Sequence, residues 1–292
     1  MTSAGGYTYD YAEVIRRTPA EVTPELIQSM WQLFALAHEA RGHQAPVVER
    51  DLAYGPHPRH RLDVHTSKAL EDPAPVLVFV QGGGFVAGDK HTPGMPYYDH
   101  IGRWAVDRGI VGVTVNYRLA PDHTFPAGAE DVAVAVDWVR RNIATRGGDP
   151  RRIVLAGHSA GAAHVAGYLA GHGNAKPDVA AAALLSGIYD LREAEKNELL
   201  SAYFGSDPLA YTAREALPSL LTCGIPLLAA VAELDPPLFQ AQAEAVHDAA
   251  SVFVRVGGHN HISEIVSLGV DDGPLGQPLL RFVEQHTARS AA

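Results

Sequence analysis

The chain is poor in cysteine and in positive charge. Cys223 is the single cysteine among 292 residues, so no disulfide can form within the chain. Lys and Arg number 23 against 33 Asp and Glu, which gives a formal net charge of −10. Nucleic acid and anionic membrane surfaces bind basic patches, and the sequence has no cluster of basic residues. We therefore predict that neither is a partner.

Long hydrophobic runs are also missing. No apolar stretch approaches the roughly 20 residues that a membrane-spanning helix needs. Residues 1–17 have neither a basic start nor a continuous apolar segment, unlike a signal peptide. With the lone cysteine, these features predict a cytoplasmic protein. Of the 15 histidines, only His259 and His261 lie two residues apart, and without nearby cysteines they are a weak metal signal. We predict no metal and no cofactor.

What the chain does have is an alternation of apolar strands and helices. Its hydrophobic content of 47% is ample for one large core. Continuous apolar runs, typical of strands covered on both faces, are residues 76–80, 111–115, 153–156, 180–185, 227–231 and 252–256. Helical patterns occupy about 98–108, 128–145, 160–171, 237–250 and 277–289, and two half-buried strands, 47–54 and 59–66, come first. This order predicts an α/β fold with a doubly wound, mostly parallel central sheet, which binds ligands at the carboxyl ends of its strands.

An amphipathic helix is predicted before the first strand. Thr23 suits its N-cap, Pro24 its first turn, and the helix runs to about Arg41. We predict that residues 1–45 form a small helical cap and residues 46–292 the catalytic domain, with a short cap-like insertion at about 187–225. A helix that simply docks on the core fits the same pattern.

The pentapeptide Gly157-His158-Ser159-Ala160-Gly161 joins a buried strand to a helix of small residues. A nucleophile elbow needs this context, because its sharp turn exposes the serine hydroxyl and leaves no room for side chains two residues before and after. Alone, the pentapeptide also fits an ordinary turn with a surface serine. The strand and the helix beside it favour the elbow.

A second glycine-rich segment, Gln81-Gly82-Gly83-Gly84-Phe85, follows the run 76–80 directly, and we call it the glycine loop. Glycines let successive backbone N–H groups point into one concavity, which suits a developing oxyanion. A phosphate-binding loop is the alternative. It is disfavoured because neither Walker spacing nor a dinucleotide fingerprint is present.

A serine nucleophile also needs a base and an acid, which follow it in the order acid, then histidine. Asp235 follows the run 227–231, where it also suits a helix N-cap, and Glu233 is a rival acid. His259 and His261 follow the run 252–256. Spacing alone does not choose between these two histidines.

Several motifs in this order resemble those of α/β-hydrolase esterases of the hormone-sensitive-lipase type and their bacterial feruloyl-esterase-like relatives. They are residues 81–85, 115–121, 125–127, 130–132, 157–161 and 233–236, and the resemblance runs from about residue 60 to the C-terminus. It implies Ser159 as nucleophile, Asp235 as acid and His261 as base, with His259 as the alternative base. It further implies an oxyanion hole of the Gly83, Gly84 and Ala160 N–H groups, loop support from Gln81 and Gly82, and a structural brace from Tyr117, Arg118 and Asp131.

The chain departs from that family in two positions and one segment. Gln81 stands where the glycine loop normally begins with histidine, and its amide keeps hydrogen-bonding capacity without a titratable proton. His158 stands where the lipase-type branch typically has aspartate, which favours the broader bacterial carboxylesterase group. The segment 187–225 is too short for a large lid.

The sequence thus predicts a serine hydrolase that cleaves small-molecule carboxylic esters with small to medium acyl groups. Candidate substrate-pocket residues are Phe85, Tyr98, His158, Tyr189 and Phe204, although aromatic side chains at such places also suit a core. An amidase or formamidase with the same residues is one alternative, and a non-catalytic binding module is another. A homodimer is the assembly that the resemblance allows.

Overall fold

The computed structural model describes residues 3–4, 7–8, 10–70, 73–192, 194 and 197–289. The predicted cap region 1–45, insertion 187–225 and catalytic domain 46–292 each include a few residues outside this part of the chain. Within it, helices pack on both faces of a central sheet. None of the described helices has the length and apolar character needed to cross a membrane.

The strands follow the predicted apolar runs closely. A short antiparallel pair, β1 (Ser3–Ala4) and β2 (Tyr7–Thr8), stands apart from the main sheet. The main sheet contains β3 (Val47–Ala53), β4 (Arg61–Thr66), β5 (Ala74–Val80), β6 (Val111–Val115), β7 (Gly148–His158), β8 (Ala181–Leu185), β9 (Leu227–Ala232) and β10 (Val252–Val256). β7 starts five residues before its apolar run, because Gly148 already pairs with Ala74 of β5.

The helices include several short ones that the sequence pattern does not reveal. They are α1 (Tyr11–Arg16), α2 (Pro24–Arg41), α3 (Asp99–Val106), α4 (Ala127–Asn142), α5 (Ala160–Leu169), α6 (Glu198–Phe204), α7 (Tyr211–Arg214), α8 (Leu217–Leu220), α9 (Pro237–Ala245), α10 (Ser263–Val266) and α11 (Gly276–Thr287). Turns of 3-10 helix occupy Ile143–Arg146, Pro208–Ala210 and His247–Ala249. The predicted helix 237–250 therefore ends earlier and continues as a separate 3-10 turn.

The main sheet has eight strands in the order β10-β9-β8-β7-β5-β6-β4-β3. The pairs from β10 to β6 are parallel, whereas β4 pairs antiparallel with both β6 and β3. The predicted doubly wound, mostly parallel α/β sheet is confirmed. Because β5, β7, β9 and β10 run in the same direction, the loops after them meet at one edge of the sheet.

Two apolar layers cover the sheet. On one face, Val132 and Val136 of α4 and Val165 of α5 are fully or almost fully buried against the strands. On the other face, Trp104 of α3 and Phe282 of α11 do the same. Covering both faces explains why the central strands read as unbroken apolar runs.

Helix α2 begins and packs as its sequence pattern predicts. The Thr23 side chain accepts a hydrogen bond from the Leu26 N–H as the N-cap. Met30 and Phe34 pack in the same layer as α3 and α11. The helix therefore docks on the core. Its role as a cap stays a prediction.

The N-terminal segment also contacts the loop between β10 and α10, residues 257–262, which we call the histidine loop. The Asn260 amide donates to the Thr18 hydroxyl at 3.1 Å. His38 Nε2, on α2, lies 2.7 Å from the Val266 carbonyl oxygen at the end of α10. Thr18 and His38, which are far away in sequence, thus bind the histidine loop and the end of α10.

The segment between β8 and β9 forms a third apolar cluster. Tyr203 and Phe204 of α6 and Tyr211 of α7 pack there with Phe85 from the glycine loop. The Phe125 N–H donates to the Tyr203 carbonyl oxygen at 2.9 Å. The segment therefore lies over the glycine loop, at the carboxyl edge of the sheet.

Candidate active site

Ser159 occupies a strained turn between β7 and α5. Its backbone has φ 55° and ψ −123°, and its N–H donates to the Leu185 carbonyl oxygen at 2.9 Å. A Cβ on Gly161 would lie 2.2 Å from the Val80 carbonyl oxygen, and one on Gly157 would lie 2.5 Å from the Gly161 carbonyl oxygen. No residue but glycine fits at either position, which explains the spacing of the motif.

His261 lies between Ser159 and Asp235. Its Nε2 is 2.8 Å from the Ser159 hydroxyl oxygen, and its Nδ1 is 2.7 Å from Asp235 Oδ1. The carboxylate accepts from Nδ1–H, so Nε2 is left to accept the serine proton. His261 and Asp235 are buried, whereas Ser159 is half-buried and open to solvent.

Two further donors hold the Asp235 carboxylate. The Ser186 hydroxyl donates to Oδ2 at 2.6 Å, and the Ala232 N–H donates to the same oxygen at 2.9 Å. These bonds fix the carboxylate so that Oδ1 faces His261. Sequence reasoning missed Ser186, although its position directly after β8 is a signal, since neighbouring parallel strands end at the same edge.

The alternative acid and base lie elsewhere. Glu233 is exposed and accepts the Gly258 N–H at 2.6 Å. His259 Nδ1 lies 3.2 Å from the Ser263 hydroxyl, and its Nε2 lies 3.8 Å from Asp271. Both side chains therefore brace the histidine loop, and neither is placed at Ser159.

The electrostatic surroundings of His261 favour its protonated form. Burial acts to lower the pKa of the imidazole, but attraction to Asp235 and the hydrogen bond between them raise it. The Glu264 carboxylate adds to the increase. The net effect raises the pKa of His261 above its ordinary value.

The glycine loop reaches the turn at Ser159. A Cβ on Gly82 would lie 3.1 Å from the Ser159 Cβ. Gly83 is exposed, with φ 136°, and a Cβ there would lie 2.1 Å from the Ala87 carbonyl oxygen. The N–H groups of Gly83, Gly84 and Ala160 donate to no backbone carbonyl among the turns and loops that the structure describes. The oxyanion hole of these three groups stays a prediction.

Gln81 and Tyr117 support the start of this loop. The buried Gln81 amide lies 3.4 Å from Asn116 Oδ1, and the Tyr117 hydroxyl donates to the Gln81 carbonyl oxygen at 3.1 Å. Asn116 Oδ1 also accepts the Lys90 N–H at 2.6 Å. Gln81 thus ties the glycine loop to the segment after β6, without a titratable group.

Buried Asp131 and half-buried Arg118 form a brace beside that segment. Asp131 Oδ2 accepts the Arg118 N–H at 2.7 Å, and Oδ1 accepts from its side chain at 2.8 Å. His60 Nε2 lies 3.0 Å from the same carboxylate. The brace fixes the turn after β6, whose Ala120 N–H donates to the Phe85 carbonyl oxygen at 3.0 Å.

The five pocket candidates do not gather around one open pocket. Phe85 stacks on Tyr203 with ring centroids 4.8 Å apart, and Phe204 packs edge-on to Phe85. Tyr98 instead packs near Phe79, in the layer of α3. Tyr189 and His158 are also buried, and the Tyr189 hydroxyl accepts the Gly187 N–H at 3.1 Å. Four of the five are therefore buried among their own neighbours, whereas Tyr98 is half-buried, and their role as pocket residues stays a prediction.

Leu199 packs against the glycine loop and Phe239 against His261, and sequence reasoning missed both. Leu199 is 46% exposed, and its Cδ1 would lie 2.9 Å from a Cβ on Gly84. The Phe239 ring lies on His261, with centroids 4.2 Å apart and an angle of 33° between the planes. No local pattern marks them, because their positions depend on how α6 and α9 pack.

Two groups in the described part of the chain bring three nitrogen or carboxylate ligand atoms within 4.8 Å of one another: His158, His261 and Glu264, and Asp63, His65 and Asp99. In the second group, Arg50 donates to both aspartates and Lys90 lies 2.9 Å from Asp63, so the chain supplies the positive charge. In the first, both histidines already hydrogen-bond protein atoms. We assign a metal to neither group.

Comparison with known families gives one match that covers most of the sheet. A family described as alpha/beta hydrolase fold matches residues 77–264, more than half of the chain. The matched range contains Ser159, Asp235 and His261. It also contains the glycine loop and the whole segment between β8 and β9.

Curated relatives include two mycobacterial enzymes. Carboxylesterase NlhH from Mycobacterium tuberculosis is 35% identical over 146 residues, which are 50% of this chain and 38% of that protein. Esterase LipQ from the same organism is 32% identical over 226 residues, 67% of this chain and 51% of that protein. The chain therefore spans about half or less of the length of these relatives.

Solved structures match over nearly the whole chain. An esterase from Pyrobaculum calidifontis has a TM-score of 0.71 at 22% identity, covering 95% of this chain and 97% of the other. The carboxylesterase EstE1, cloned from a metagenomic library, has a TM-score of 0.69 at 24% identity, covering 92% and 99%. At such low identity these likenesses show a shared fold.

Proposed function

Since the chain belongs to the alpha/beta-hydrolase family, as its motifs indicate, we propose that it is a carboxylesterase for small-molecule esters. The observation that carries the proposal is the line of hydrogen bonds from Ser159 through His261 to Asp235, at 2.8 and 2.7 Å. Relatives named as carboxylesterases and esterases support an ester as the bond that is cleaved.

In the first step, the Ser159 oxygen attacks the ester carbonyl carbon while its proton moves to Nε2 of His261. Asp235 stabilises the imidazolium that forms. Negative charge develops on the carbonyl oxygen, where the N–H groups of Gly83, Gly84 and Ala160 stabilise it more strongly than they do the neutral ester.

In the second step, the tetrahedral intermediate collapses and the carbon–oxygen bond to the alcohol breaks. His261 gives its proton to the departing alkoxide, and the acyl group stays on Ser159. Water then attacks the acyl-enzyme, His261 accepts a proton from it, and the carboxylic acid leaves as Ser159 regains its hydrogen.

The side chains around Ser159 support small to medium acyl groups. Leu199 lies over Gly84, and Phe239 covers one face of His261. The aromatic cluster below them is packed, with a residual cavity of about 10 Å³ bordered by Tyr203, Phe204 and their neighbours. Among these described residues a long chain therefore has little free space, and we place its path beside Leu199.

Replacing Leu199 with alanine is expected to shift the preference toward longer acyl chains. Removing the side chain over Gly84 opens space worth a few methylenes, each of which contributes about 0.8 kcal/mol when buried. We expect the ratio of kcat/KM for octanoate over butyrate p-nitrophenyl esters to rise about tenfold.

Leu209→Ala is the matched control for that experiment. Leu209 lies in the same segment between β8 and β9 but is 88% exposed. Its removal should leave the ratio unchanged. An equal ratio in wild type and Leu199→Ala would refute the placement of the acyl chain beside Leu199.

A fluorophosphonate probe tests the proposed function directly. The probe phosphonylates a serine only when that serine is activated, and mass spectrometry of the labelled peptide identifies the residue. We expect label on Ser159 and hydrolysis of esters faster than that of amides with the same acyl group. Faster amide cleavage would make the protein an amidase, and absence of label would favour a binding module.

A further inference from the structure

Glu264 is a buried carboxylate that the mechanism above does not use. It lies in α10, three residues after His261, with none of its surface exposed. Neither carboxylate oxygen has a hydrogen-bond partner among the described residues. Burying a carboxylate in this way is unfavourable unless nearby charge compensates for the lost water.

Two imidazoles face Glu264. His158 Nε2 lies 3.3 Å from Glu264 Oε1, and a nitrogen of His261 is within 4.8 Å of a Glu264 carboxylate oxygen. His158 Nε2 is also 2.8 Å from the His261 carbonyl oxygen, to which it donates. His158, which directly precedes Ser159, thus contacts both the main chain at His261 and the Glu264 carboxylate.

The other polar groups around His261 and Glu264 come from three further segments. Asp235 follows β9 and bonds Nδ1, while Ser159 follows β7 and bonds Nε2. Tyr189, in the segment after β8, is close enough to Glu264 and Asp235 for their charges to help burial raise the pKa of its hydroxyl. Asp235 and Glu264 are thus the two carboxylates whose charges act on His261.

We propose that Glu264 is a second carboxylate of the site, whose negative charge stabilises protonated His261 during acyl transfer. The inference rests on the proposed function. Its physical basis is that the unpartnered carboxylate gains a favourable neighbour when His261 accepts the serine proton, so the stabilisation is largest in the transition state.

The same charge affects the pH dependence. Burial acts to lower the pKa of His261, and Asp235 and then Glu264 act to raise it. Ester cleavage needs neutral His261, so activity falls as the pH drops through this pKa. Removing the Glu264 charge lowers the pKa, and the loss of activity should then begin at a lower pH.

Glu264→Gln tests this effect, because it removes the charge and keeps the shape. We expect kcat to fall about tenfold with little change in KM, and the acid limb of kcat/KM to move down by about one pH unit. Glu264→Asp keeps the charge and should keep the acid limb near that of wild type. Glu244→Gln, at a carboxylate that is 60% exposed, controls for net charge.

A purely structural role would give a different result: a lower melting temperature with an unmoved acid limb in Glu264→Gln, which would overturn the inference. NMR titration of the His261 ring, in wild type and in Glu264→Gln, provides a readout that needs no turnover. A wild-type pKa below the ordinary value of about 6.5 would also overturn it, even if Glu264→Gln does not fold. Fluorophosphonate labelling of wild type separates this failure from failure of the proposed function.

Discussion

Replacing Ser159 with alanine is expected to lower kcat for ester hydrolysis by about 10⁴- to 10⁶-fold, because the nucleophile, base and acid act as one unit. The change removes one oxygen from a half-buried site, so the melting temperature should stay close to that of wild type. Steady-state kinetics on p-nitrophenyl butyrate, with protein purified away from host esterases, provides the measurement.

Ser251→Ala is the matched control. Ser251 is an exposed serine just before β10, and its N–H donates to the Leu227 carbonyl oxygen, a bond that the substitution leaves intact. This variant should keep wild-type activity and label. If Ser159→Ala retained near wild-type activity in the same assay, the assignment of the nucleophile would be wrong.

The second large effect separates the two neighbouring histidines. His261→Ala is expected to lower kcat by at least about 10⁴-fold, because Ser159 then has no base and Asp235 has no imidazolium to stabilise. His259→Ala removes a hydrogen bond to Ser263 and the contact with Asp271. It should reduce kcat by about tenfold or less, together with a lower melting temperature.

The comparison is informative because each substitution removes a buried imidazole ring from the same loop. His261 and His259 are 2% and 3% exposed, so loss of packing is similar in the two variants. Only the loss of activity should differ. An inactive His259→Ala together with an active His261→Ala would reverse the roles of the two residues.

The sequence predicts the architecture and the order of the reacting groups because both depend on local patterns. Strands buried on both faces read as apolar runs, and loops after parallel strands meet at one edge. That reasoning placed Ser159, Asp235 and the pair of histidines at the same edge. The glycine spacing around Ser159 is equally local, since a Cβ on Gly157 would lie 2.5 Å from the carbonyl oxygen of Gly161.

What the sequence does not predict depends on contacts between distant segments. Ser186 reaches Asp235, and Phe239 reaches His261, only after β8, β9 and α9 have packed. The short helices between β8 and β9 have fewer than two turns, too few to show a period. Tyr98 has the aromatic side chain expected of a pocket residue, but in the structure it is half-buried and packs against Phe79, in the layer of α3.

The burial of Glu264 is another feature that the sequence does not predict. In sequence it is an ordinary acidic residue in a short helix, and such residues are mostly exposed. The structure buries it because α10 packs next to His158 at the end of β7. Burial converts a solvated charge into one whose field acts on its neighbours.

The ties between the N-terminal segment and the histidine loop make hydrolysis a sensitive reporter of complete folding. Thr18 and His38 hold the two ends of a stretch that carries His261, more than 220 residues later in the chain. These ties involve few atoms, so they can open while the sheet stays intact. Activity should therefore disappear at a lower urea concentration than the circular dichroism signal of the sheet. The free energy of docking the N-terminal segment would then set how much of the protein has His261 in its active position.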